Sequence, residues 1–229
     1  MIKDFLKLLF VFIVGVIGGI FGNYIFPIEW QCPQCPIYQT KIEKIYIKET
    51  SVLKELVEKV ENPIVKIKTE TKKEKILGGG IILTADGFLI TLADFFPSKG
   101  KTEIFWEGEK IKNYKIIKID PKENLALIKI EKKEKFPTVG FANLEKLKKG
   151  EKVFLIGVFS KKESLEKFVN QGIIKYFKKE LIETNITEKN GKGSFLFNFQ
   201  GELIGINEID KKGKIKVIPI DKIKKFANL

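Results

Sequence analysis

From Ile64 onward the chain is cut into short apolar runs, and no other property narrows its fold as far. Runs rich in Ile, Val, Phe and Thr lie at 64–69, 80–83, 88–92, 102–106, 114–120 and 126–130, separated by turns rich in Gly, Asn and Lys. A second series follows Gly150, at 152–157, 172–176, 194–199, 202–207 and 215–218. Runs this short suit strands better than core helices, which need about ten residues or more. Many such strands with little helix between them predict an all-β barrel or sandwich. The segment Lys132–Gly150, with Pro137 and several charges, predicts a boundary between two halves, about 63–135 and about 148–220.

The amino-terminal part obeys different rules. Leu8 to Phe26 is a run of 19 uncharged residues, long enough to cross a bilayer as a helix. Lys3 and Lys7 precede it and Glu29 follows, which places the amino terminus in the cytoplasm and the remainder outside. No small-x-small cleavage site follows the run, so it reads as an uncleaved single-pass anchor, with a cleaved signal peptide as the competing reading. Gly15 and Gly19, and again Gly18 and Gly22, are spaced for close helix packing and suggest self-association in the membrane. Frequent glycine is also an ordinary property of membrane helices. Residues 1–36 thus form an anchor with a Cys-Pro-Gln-Cys-Pro segment, and 37–62 a linker. The linker ends in a short amphipathic helix, with Ser51 as N-cap and apolar positions 52, 53, 56, 57 and 60.

Cys32 and Cys35 are the only cysteines. Outside the cytoplasm a disulfide is the default, within the pair or between chains. Two chains could also pool their pairs into a four-cysteine zinc site. The sequence calls for no cofactor and no metal, since one pair is half a site.

Net charge is +13, and all 42 basic residues are lysine. Nucleic-acid binders concentrate basic residues on one face and use arginine for bidentate contacts. Here lysines alternate with glutamates throughout, as in Lys72-Lys73-Glu74-Lys75, so a solvated surface is the reading and nucleic acid is excluded as a partner. A basic face resting on an anionic surface is a further alternative.

Six segments carry a family resemblance. Gly78-Gly79-Gly80 through Phe96 resembles the stretch GSGFII…DGYILTNNHVV of the HtrA/Deg branch of trypsin-like serine proteases. Residues 115–130 are similar to that family's AKVIGxDPKTDLAVLKI, 147–157 to LRVGEWVVAIG and 169–174 to VTAGIVS. Residues 198–207 resemble NLDGEVIGIN, and Val217-Ile218-Pro219-Ile220 resembles FAIPI. Order and spacing hold from about Ser51 to the end. The resemblance implies a double barrel, two antiparallel six-stranded barrels over 63–229 with a cleft between them, and the family usually continues into a PDZ domain beyond that point.

The same resemblance implies that catalysis is lost. A Ser-His-Asp mechanism needs an imidazole to take and return the serine proton, and the chain has no histidine. The family's histidine falls on Asp94 and its aspartate on Asn124. The nucleophile motif GNSGGPLLN corresponds to residues 190–198. Counting from one side puts Lys192 at the serine position, and from the other Gly193, so one residue is deleted. Nearby Ser194 reads as a structural serine in a turn, since a Ser-Lys dyad with Lys192 needs geometry that neighbours on one loop do not offer. Asp94, Asn124 and Lys192 are expected to project to one point and to pair there. The function these features imply is that of a membrane-anchored pseudoprotease with a protein- or peptide-binding or scaffolding role outside the cytoplasmic membrane. The alternatives are an active HtrA-like endopeptidase with unconventional residues and a basic module on an anionic surface.

Overall fold

The structure, a computed structural model, describes residues 2–25, 42–132, 134–161, 164–178, 181–209 and 215–229. It divides into two units, Met1–Ile45 and Tyr46–Leu229. Cys32 and Cys35 lie outside the described residues.

The first unit is dominated by α1 (Ile2–Ile25), which begins closer to the terminus than the uncharged run does. Its span Ile2–Gly22 is long and apolar enough to cross a membrane, and Gly15, Gly18, Gly19 and Gly22 have nothing packed against them. The helix expected from Ser51 starts earlier, as α2 (Ile42–Val60). Within the second unit, Leu53, Leu56 and Val57 pack against the core and Val60 is buried.

The rest is strand. The first sheet comprises β1 (Ile64–Glu70), β2 (Lys75–Ile82), β3 (Phe88–Thr91), β4 (Lys101–Trp106), β5 (Glu109–Lys110), β6 (Tyr114–Asp120) and β7 (Leu125–Ile130), in the order β5-β4-β1-β2-β3-β7-β6. The second comprises β8 (Gly140–Phe141), β9 (Lys152–Lys161), β10 (Ser164–Lys178), β11 (Leu181–Thr184), β12 (Phe195–Asn198), β13 (Glu202–Ile209) and β14 (Ile215–Pro219). Its order is β11-β10-β9-β12-β13-β14, with β8 added parallel to β13. Each half is a curled, almost wholly antiparallel sheet. Each holds seven strands, where the resemblance implied six; the short β5 and β8 carry no apolar run of their own.

Sequence dictates which strands face solvent. In β1 the buried Ile67 and Thr69 alternate with the partly exposed Lys66 and Lys68, the period-two pattern of a strand with one wet face. β7 and the middle of β9 are buried almost throughout and read as continuous apolar runs. β10 is far longer than the expected 172–176, because Glu166, Lys167, Asn170 and Gln171 interrupt its apolar signal where its β9 hairpin is partly solvated. A closing helix, α3 (Ile220–Ala227), buries Ile220, Ile223 and Phe226 on one stripe.

The β9–β10 hairpin also reaches the other sheet. Lys66 Nζ donates to the Leu165 carbonyl, and Lys167 Nζ donates to the Glu61 carbonyl at 2.6 Å. Burial pushes the Lys167 ammonium below the usual lysine range, opposed in part by Glu61. Between that lowered value and the ordinary one of about 10.4, the unfolded chain binds more protons than the folded one, so this residue makes stability rise with pH. Lys167→Gln is expected to flatten that rise on the alkaline side, read by urea unfolding at several pH values. An unchanged slope would refute it.

Candidate functional site

The centre of the site is built by a 3-10 turn, Ala93–Phe95, that follows β3. Asn124, in the turn between β6 and β7, holds it by both main chain and side chain. Its carbonyl accepts the Ala93 N–H at 3.2 Å and its Oδ1 accepts the Asp94 N–H at 3.1 Å. Asn124 sits at φ 51°, a left-handed conformation that asparagine tolerates better than most residues.

Its amide nitrogen then donates to two carboxylates, Asp94 Oδ2 at 3.2 Å and Glu208 Oε2 at 3.2 Å. Lys192 Nζ lies 2.8 Å from the same Asp94 Oδ2, and Lys216 Nζ 3.5 Å from Glu208 Oε1. The result is a row, Lys192–Asp94–Asn124–Glu208–Lys216, in which a neutral amide joins two ion pairs and Asp94 and Asn124 of the first half bridge Lys192 and Glu208 of the second. An amide suits the middle position, since an aspartate there would set three carboxylates against one another. The Asp94 and Lys192 side chains are 50% and 41% exposed, so the pair is screened and its stabilising value is about 0–1 kcal/mol.

Three of the sequence-derived positions therefore meet, namely Asp94, Asn124 and Lys192. Glu208 and Lys216 join them without having been anticipated, and no pattern in the chain marks them. Ser194 is elsewhere. It is fully buried, its Oγ donates to the Gly191 carbonyl at 2.6 Å, and it accepts from Asn207 Nδ2 at 2.8 Å. Its hydroxyl is committed to holding the turn that leads into β12.

The surrounding backbone is committed as well. The N–H groups of Gly191, Gly193 and Ser194 donate to the carbonyls of Glu188, Asn207 and Gly191 at 3.1, 2.7 and 3.1 Å. Asn207 N–H donates back to the Ser194 carbonyl at 2.8 Å, so the 191–194 loop is stitched to β13 on both sides. An oxyanion hole needs N–H groups aimed at empty space where charge will develop, and these are aimed at carbonyls. Phe95, 1% exposed, fills the adjoining space, its ring lying so close over Gly78 and Gly193 that a methyl on either glycine would overlap it.

Chemically the cluster offers carboxylates, an amide and ammonium groups, with no hydroxyl, thiol or imidazole among them. Among the described residues no group of three or more Asp, Glu, Cys or His side chains could hold a metal ion.

A family model described as trypsin-like peptidase domain matches residues 78–206, more than half of the chain. The chain belongs to the trypsin-like peptidase domain family. Within it, the similarity runs to HtrA proteins. Serine protease HTRA1 of Xenopus laevis is 32% identical over 163 residues, 65% of this chain and 35% of that protein. Serine protease HTRA1A of Danio rerio is 30% identical over 163 residues, 65% of this chain and 33% of that protein. A probable periplasmic serine endoprotease DegP-like of Pseudomonas putida is 29% identical over 145 residues, 59% of this chain and 30% of that protein. The chain spans about a third of the length of the curated relatives it matches. The matched region of this trypsin-like domain runs from β2 into β13 and includes Asp94, Asn124, Lys192, Gly193 and Ser194.

Proposed function

We propose that this trypsin-like domain is a pseudoprotease, held at a membrane by α1 with its two-sheet unit on the extracytoplasmic face, where it binds a protein or peptide partner. In this reading Asp94 and Asn124 occupy the former histidine and aspartate positions, and Lys192 or Gly193 the former serine position. The observation that carries it is the fate of Ser194. The one serine beside the former nucleophile position is fully buried, and both hydrogen bonds of its hydroxyl are internal. An acyl-transfer nucleophile needs its oxygen in the cleft and a base within hydrogen-bond reach. Lys192 cannot take that role while it is paired with Asp94 as an ammonium.

Ser194→Ala separates a structural serine from a catalytic one. A structural Ser194 predicts a loss of about 1–3 kcal/mol in urea unfolding, because Asn207 Nδ2 is left buried without an acceptor. It also predicts no fluorophosphonate labelling and no casein cleavage by either form. Labelling that disappears in Ser194→Ala with stability unchanged would overturn the proposal.

A further inference from the structure

Beside the charge row lies a pocket of about 280 Å³, and Glu208 belongs to both. Its rim carries three ammonium groups, Lys122, Lys216 and Lys222, and two carboxylates, Glu123 and Glu208. Lys222 pairs with Glu123, and Lys216 lies 3.5 Å from Glu208. Lys122 is left as the third cation, so the rim carries one positive charge in excess. The floor is aliphatic, formed by the buried Val217, Ile218 and Pro219, with the exposed Leu181 at its edge.

An excess of one ammonium over an aliphatic floor specifies the occupant by charge and size. The volume admits roughly one branched aliphatic side chain with a carboxylate, at the small end of ligand pockets. A larger groove of about 810 Å³ shares Glu123, Pro219 and Lys222 with this pocket. Its own lining mixes Leu144, Phe177 and Phe226 with the charged Lys118, Glu145, Asp221 and Lys225, and these face whatever precedes that residue. A single amino acid would leave the large lobe empty, whereas a peptide ending in the small lobe fills both.

We infer that this two-lobed groove captures the carboxyl terminus of a protein or peptide whose last residue is Val, Leu or Ile. The terminal carboxylate sits against Lys122 and Lys216, the last side chain on Val217, Ile218 and Pro219, and the preceding residues in the larger lobe. The inference rests on the non-catalytic reading, because a working protease would destroy such a ligand rather than retain it.

The test uses the full chain, immobilised in detergent micelles, and a hexapeptide library randomised upstream of a terminal Val, Leu or Ile. The library is prepared once as free acids and once as amides. Retained peptides are quantified by mass spectrometry. Free acids are expected to be retained about tenfold more strongly than amides, the loss that follows when a hydrogen bond to a charged group is removed. Lys122→Ala with Lys216→Ala should abolish that preference, while Lys72→Ala, on the exposed β1–β2 turn, should leave it intact. No retention, equal retention of acids and amides, or a preference that survives the double substitution would each overturn the carboxylate site and leave the pseudoprotease reading standing. Peptide fragments appearing in the same samples would overturn both.

Discussion

Phe95→Ala is expected to cost about 3–5 kcal/mol, the range for deleting a buried phenylalanine. The ring is 1% exposed and lies over Gly78 of β2 and Gly193 of the loop before β12. Glycines have no side chains to relax into the space that would be left, so the cavity should persist. The main chain at Phe95 is pinned independently, its carbonyl accepting from Thr69 Oγ1 at 2.6 Å. Backbone adjustment therefore offers little relief. Urea unfolding of the full chain in detergent, followed by far-ultraviolet circular dichroism, measures the effect. A loss below about 1 kcal/mol would mean that the space closes up and that the ring does not hold the sheets together.

The second large effect comes from the other side of the same contact. Gly193 has φ +73°, and a Cβ there would strike the Phe95 ring. A left-handed non-glycine residue costs about 1–2 kcal/mol, and overpacking a filled core adds about 1–3 kcal/mol. Gly193→Ala should thus lose roughly 2–5 kcal/mol in total. The two causes separate in a double-mutant cycle. Against a Phe95→Ala background the steric part vanishes, and only the backbone cost of about 1–2 kcal/mol should remain. Strict additivity of the two substitutions would show that the ring and the loop do not bear on each other.

Much of the architecture was legible from apolar periodicity, because strands such as β1, β7 and β13 announce themselves by alternation or by continuous burial. β10 and α3 escaped for opposite reasons. The first carries too many polar residues for an apolar run, and the second is a stripe of only three buried positions, Ile220, Ile223 and Phe226, among lysines. At the site, the motifs gave Asp94, Asn124 and Lys192, and their mutual geometry followed once the sheets were in place. Glu208 and Lys216 could not be read in advance, since a glutamate and a lysine on adjacent strands look like any other surface pair. The burial of Ser194 was also hidden. Whether a turn serine faces solvent or core depends on Asn207, 13 residues further along, and on the hydrogen bonds between them.

One contiguous apolar cluster runs through both sheets, from Val60 and Ile64 to Ile223 and Phe226. Neither sheet can open without stripping apolar cover from the other, and the Phe95 contact draws them together near the site. The pair is therefore expected to unfold as one cooperative unit, with a single transition in thermal circular dichroism. Unfolding of that kind leaves little partly opened chain to be cut or to aggregate.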